Sequence, residues 1–172
     1  MLENVFVKTA ARICEVRRMI KFCKDKWNEN RDRLEKALRS DTSLKDCDYQ
    51  HLLAIVVKNI LNQGIEQWNA EGITVADNGS YSGTLMFLIP EDTYEPSEYE
   101  YLLTYVNYGS CSGCDALQGA QCCITDETPD DRDIERFMML CKDLVTNMIR
   151  PYNNGWRHND KYDPVVEEYD EA

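Results

Sequence analysis

Ile73-Thr74-Val75-Ala76-Asp77-Asn78-Gly79-Ser80-Tyr81-Ser82-Gly83-Thr84-Leu85-Met86-Phe87-Leu88-Ile89 reads as two strands joined at a turn. Val, Ile, Thr and aromatic residues fit a pleated, half-buried surface, and Asp-Asn-Gly supplies the backbone freedom a tight turn needs, so a β-hairpin is predicted. Pro90 to Ser97 marks a second turn. Tyr99 to Tyr108, a run of tyrosines with Leu102, Leu103, Thr104 and Val106, then predicts a strand antiparallel to the one before it.

Outward from this small sheet the periodicity changes from two to three and four. Leu2, Phe6, Ile13, Val16, Ile20, Cys23, Trp27, Leu34 and Leu38 predict one long amphipathic N-terminal helix. Arg12, Arg17, Arg18, Lys21, Lys24 and Lys26 lie between them, and Asn28 to Arg33 is either an exposed midpoint or a break. Cys14 and Cys23 fall in the apolar stripe and read as small buried hydrophobes. After the turn-like Ser40-Asp41-Thr42-Ser43, a second helix is expected from about Tyr49 to Trp68, with Leu52, Leu53, Val56, Ile60 and Ile65 apolar and Gly64 weakening its end. A last helix is expected to open with Thr128 as N-cap and Pro129 in the first helical position, to carry Ile134, Phe137, Met138, Cys141, Leu144, Val145 and Met148 inward, and to stop at Arg150 to Gly155. The expected fold is α+β: a long N-terminal helix, a second helix, a small antiparallel sheet, a cysteine loop and a C-terminal helix. It forms a single domain over residues 1–155, followed by a flexible acidic tail over 156–172.

The 172 residues suffice to bury a core without disulfides. Met1-Leu2-Glu3-Asn4 lacks the pattern of a secretory signal, and no apolar run approaches the ~20 residues of a membrane helix, so a cytoplasmic protein is expected. The net charge of −12 is unevenly spread. Residues 1–45 hold 12 Lys/Arg against 7 Asp/Glu, and the remainder 7 against 24. An acidic body repels phosphate backbones, which confines nucleic-acid binding to residues 1–45 and favours a protein partner with a basic surface. The stripe of the first helix is satisfied either within the monomer or by a homodimer.

Four of the eight cysteines fall within thirteen positions, as Cys111-Ser112-Gly113-Cys114 and Cys122-Cys123. In a reducing compartment such clusters serve as metal ligands or reactive thiols. A Cys-x-x-Cys turn points two thiolates at a common centre, and a second pair nearby predicts a structural zinc site. Adjacent side chains diverge, so the expected set is Cys111, Cys114, one of Cys122 and Cys123, and a ligand from elsewhere: Cys141, or Cys47 or His51. A thiol-redox enzyme is one competing reading, since Cys111 follows a strand and Asp115 to Ala120 begins a short helix, but no βαβ unit precedes the motif; a plain structural loop with free thiols is the other. His51 on an apolar helix and His158 near the tail supply no evident base, and Ser80 and Ser82 lack an elbow, so no enzymatic constellation is expected.

The run Tyr105-Val106-Asn107-Tyr108-Gly109-Ser110-Cys111-Ser112-Gly113-Cys114-Asp115-Ala116-Leu117-Gln118, preceded by Tyr81 to Pro90, resembles a signature of small proteins of tailed bacteriophages and bacterial mobile elements. The likeness covers roughly residues 80–150 and implies a phage accessory protein acting in a bacterial host cytoplasm. Small acidic proteins of that kind bind host enzymes, and an acidic surface competes for a basic DNA groove by imitating phosphates. The expectation is an inhibitor of the anti-CRISPR or general anti-defence kind. Its partner-binding carboxylates would be Glu91, Asp92, Glu95, Glu98 and Glu100, with Asp126, Glu127, Asp130 and Asp131 before the last helix. A regulatory nucleic-acid-binding module using the basic first helix is the alternative from a different class.

Overall fold

The computed structural model describes residues 2–124 and 128–150, with side chains from residue 16 onward. Asp126, Glu127, His158 and the segment 156–172 lie outside the described residues, as do the side chains of Leu2, Phe6, Ile13 and Cys14. The fold is α+β: helices α1 (Leu2–Ser40) and α2 (Tyr49–Val56), strands β1 (Thr74–Asp77), β2 (Gly83–Pro90) and β3 (Tyr101–Tyr108), and helices α3 (Ala116–Gln121) and α4 (Asp131–Thr146). Among the described residues no helix is long and apolar enough to cross a membrane.

The sheet has the order β1-β2-β3, antiparallel throughout. Thr74 to Asp77 pair with Leu88 to Leu85, and Gly83 to Pro90 pair with Tyr108 to Tyr101. Alternation sends Phe87, Ile89, Leu102 and Thr104 inward and leaves Met86 and Tyr105, directly opposed, at the surface. The buried Thr104 hydroxyl donates to Leu144 O at 2.7 Å, which ties β3 to α4. The turn between β1 and β2 is longer than the Asp-Asn-Gly motif alone requires. Residues 78–82 form the connection, and Asn78 Oδ1 accepts from Thr84 N at 2.7 Å to close it.

α1 is one unbroken helix through Asn28 to Arg33, 39 residues long and about 58 Å at 1.5 Å per residue. Its second half buries Cys23, Trp27, Leu34 and Leu38 against α4 and the segment after α2. The core extends through Leu52, Leu53, Val56, Ile60, Trp68, Phe137, Cys141 and Leu144.

Three helix boundaries differ from expectation. The second helix does not reach Trp68. At Val57–Leu61 it widens into a π-helical turn, where Asn62 N donates to Val57 O at 3.0 Å, and then stops. Asn62 is the reason: its side chain accepts from Trp68 N at 2.7 Å and donates to Trp68 O at 2.8 Å, closing the chain into a loop, while Lys26 Nζ takes the Gln63 carbonyl at 2.6 Å. Ile65, expected on the helix's apolar side, stands in that loop fully exposed. The last helix begins at Asp131 rather than Pro129, because the cap is Asp130 and not Thr128. Asp130 Oδ1 accepts from Arg132 N and Asp133 N, and Asp133 Oδ2 accepts from Asp130 N, a reciprocal capping box, whereas Asp131, three residues after Thr128, is paired with Arg39. The helix ends at Thr146, which frees Ile149 to exchange both backbone hydrogen bonds with Leu103 of β3 at 2.8 Å.

Candidate functional site

The cysteine loop hangs between two fixed ends. At its entry, Tyr108 donates its hydroxyl to both oxygens of Asp77, at 2.8 and 3.0 Å, pinning the end of β3 to the end of β1. At its exit, Asp115 caps α3 by accepting from Gln118 N at 2.9 Å. Asp115 is itself buried, and the Tyr49 hydroxyl reaches it at 3.2 Å while accepting from Leu117 N at 3.0 Å. Burial, chiefly, with the adjacent carboxylate adding, pushes the Tyr49 hydroxyl up to about 12, so it remains a donor. Gln121 completes the anchorage by donating to Leu44 O and Cys47 O at 3.1 and 2.6 Å.

Between these ends the chain makes a close turn: Cys114 N and Asp115 N both donate to Cys111 O, at 2.9 and 2.8 Å. Cys111 N donates to Cys114 Sγ at 3.0 Å, and that thiol lies 3.1 Å from Cys111 O. Gly109 makes room for this, because a Cβ there would fall 2.6 Å from Cys114 Sγ. The two exposed thiols are thereby made unequal. A hydrogen bond from the Cys114 side chain, followed by one from the Gly113 backbone, lowers the Cys111 pKa, and the same side-chain bond raises that of Cys114. Adjacent thiols of this kind bind thiophilic metals or exchange with disulfides.

Cys122 and Cys123 stand at the other end of α3. Both thiols lie 3.3 Å from the same acceptor, Gly119 O. Gly119 is also where the first pair's loop comes nearest α3, for a Cβ there would meet Ser112 O at 2.8 Å. Gly119 thus stands against Ser112 of the first pair's loop and accepts from both thiols of the second pair. Cys141 stands apart, fully buried on α4 beside Cys47; burial raises its thiol far above the ordinary range, and raises that of Cys47 to about 11. Among the described residues no three or more Cys, His, Asp or Glu side chains are gathered as a ready metal site.

His51, the other offered ligand, is engaged elsewhere. Its Nε2 lies 2.8 Å from Asp41 Oδ2 and 3.0 Å from Ser43 Oγ, and Ser43 also donates to Asp41 Oδ1 at 2.6 Å. Serine and aspartate meet the same ring nitrogen, so neither orients the imidazole toward the other and no catalytic triad results. Burial acts to raise the Asp41 pKa, but the hydrogen bonds from Ser43 and His51 outweigh it and hold it below the ordinary value. Only the Asp-x-Ser spacing of a side-chain turn hinted at this cluster in the sequence.

The nine carboxylates expected to meet a partner are divided. Glu91, Asp92, Glu95, Glu98 and Glu100 occupy the β2–β3 connection, which is held by Glu91 N to Glu100 O at 2.7 Å and by Ser97 N to Glu100 Oε2 at 2.8 Å. That connection lies beside the loop after α2: Asp92 N donates to Gln67 O at 2.9 Å, and Trp68 pairs with Glu91. Two apolar side chains that the sequence reading did not place at a partner surface, Tyr94 at 98% and Ile65 at 101% relative exposure, stand in these neighbouring segments. Asp130 and Asp131 are placed elsewhere and employed, the first as a cap and the second in an ion pair with Arg39 at 2.8 Å. Compared with known proteins, the chain matches no family model, no curated protein and no solved structure.

Proposed function

We propose that this protein is an acidic protein-interaction module of phage origin, steadied by a metal-binding cysteine loop, that inhibits or modulates a host nucleic-acid-handling machine of the anti-CRISPR or anti-defence kind in the bacterial cytoplasm. The observation that carries it is the pairing of the acidic 91–100 connection with Tyr94 and Ile65, both fully exposed. An exposed aromatic within a run of carboxylates, with an exposed aliphatic side chain on the neighbouring segment, is the composition of a binding hot spot for a basic surface, with the charges steering encounter and the anchors holding the complex. Five carboxylates within ten residues, on a connection fixed at both ends, offer a DNA groove an anionic substitute.

The test is displacement of duplex DNA from a panel of purified bacterial defence nucleases and CRISPR effector complexes. The expected result is salt-sensitive displacement from at least one of them, abolished by combined Glu91→Lys, Asp92→Lys and Glu95→Lys, and weakened roughly tenfold or more by Tyr94→Ala. Failure to displace from any member, or displacement indifferent to these changes, overturns the reading.

Zinc is the metal that thiolate ligands at this spacing favour, with Cys111, Cys114 and one of Cys122 and Cys123 as the ligands this chain would offer. When bound, it would fix the loop against α3. A second reading, a thiol-redox enzyme, is favoured by the hydrogen bond that Cys111 N donates to Cys114 Sγ. Ordinary reactivity of both thiols toward a disulfide reagent would remove it.

A further inference from the structure

α1 continues past the body that covers it. Among the described side chains its burial begins at Cys23; Met19 and Phe22 touch the core from one side, while Val16 and Ile20 are 53% and 59% exposed. These two belong to a strict repeat. Leu2, Phe6, Thr9, Ile13, Val16 and Ile20 alternate in steps of four and three, and the same steps lead on to Cys23, Trp27, Asn30 and Leu34. A period of 3.5 residues keeps a seam facing one partner helix along its whole length. In the second half that partner is the chain's own body, through α4 and the π-helical turn. Val16 and Ile20, the described seam residues before Cys23, stand exposed.

The charges beside the seam decide what fits it. The flanking positions of the free half include Arg12, Arg17 and Lys24, and residues 2–24 hold six Lys/Arg against two Asp/Glu. In a parallel pairing of two copies Arg12 would face Arg17 of the other helix at both sides of the seam. An antiparallel pairing would again set basic flanks against basic flanks. Like charges facing across a seam oppose self-association and select a partner of opposite sign. Nucleic acid would satisfy the charges but has no use for the exposed Val16 and Ile20 between them.

We infer that the N-terminal half of α1 is a docking helix for an amphipathic partner helix with an apolar seam and acidic flanks, supplied by another protein. This surface is separate from the acidic connection, so the molecule carries two recognition faces of opposite sign.

The experiment uses the full-length protein and two fluorescent synthetic peptides, both with Ile and Leu in the seam positions over four heptads, one with Glu and one with Lys in the flanking positions. Fluorescence anisotropy should show binding of the Glu-flanked peptide and at least ~10-fold weaker binding of the Lys-flanked one. Val16→Asp with Ile20→Asp should abolish binding, while circular dichroism confirms that the body remains folded. Arg12→Glu, Arg17→Glu and Lys24→Glu together should reverse the preference between the peptides. Equal binding of both peptides, binding of neither, binding of a labelled DNA duplex in place of the Glu-flanked peptide, or a dimer of the protein alone that Val16→Asp with Ile20→Asp dissolves would each overturn the inference.

Discussion

Tyr49 is the residue on which the cysteine loop most depends, although it lies more than sixty positions away in the chain. Its hydroxyl serves Asp115 and Leu117 at once, in a buried place where water cannot substitute. Tyr49→Phe leaves both without that partner and should cost about 1–3 kcal/mol in urea denaturation. It should also speed the reaction of Cys111 and Cys114 with a disulfide reagent, because α3 loses a tie to α2. Asp41 gives a prediction in pH. Its folded pKa is lowered, so the unfolded chain binds more protons in the acid range. The carboxylate's contribution to stability is present above the unfolded pKa and is lost as pH falls through the folded one. Asp41→Asn should therefore flatten the acid limb of stability against pH, and an unchanged limb would show that the cluster with Ser43 and His51 contributes nothing.

At the scale of elements, helices and strands were legible where periodicity and composition agreed. Val, Ile, Thr and aromatic runs marked all three strands, and the 3–4 spacing marked α1 on either side of a polar stretch, Asn28 to Arg33, whose continuity it left open. Boundaries were not, because each is set by a side chain reaching back to the backbone. Asn62 ends the second helix by bonding Trp68 six residues later, and no periodicity announces such a loop. Asp130 prevails over Thr128 as cap because Asp133 answers it. Asp130→Ala should cost about 1 kcal/mol in thermal or chemical unfolding, whereas Thr128→Ala should lie within a few tenths. The reverse ranking would return the cap to Thr128. Tyr94 and Ile65 escaped sequence reading for a related reason: the first sat in a polar turn, the second fitted the apolar pattern of a helix that stops short of it.

Across the whole molecule, charge and topology tell one story. The cationic residues are concentrated in α1 and the carboxylates in the rest of the chain, and the fold leaves Val16 and Ile20 of α1 exposed while placing the acidic connection at the end of the sheet. The cysteine loop lies between β3 and α3, at the junction of sheet and helices, where a bound metal would fasten one to the other. The sequence named its four thiols; that two of them converge on Gly119, and that Cys141 belongs with Cys47 in the core, depends on contacts made only in the folded chain. The direct measurement is the metal content of protein purified without added metal or chelator, by elemental mass spectrometry, for the native chain and for Cys111→Ser with Cys114→Ser. About one zinc ion per native chain, absent from the variant, is the predicted result. Metal-free native protein with all four loop thiols reactive would contradict it.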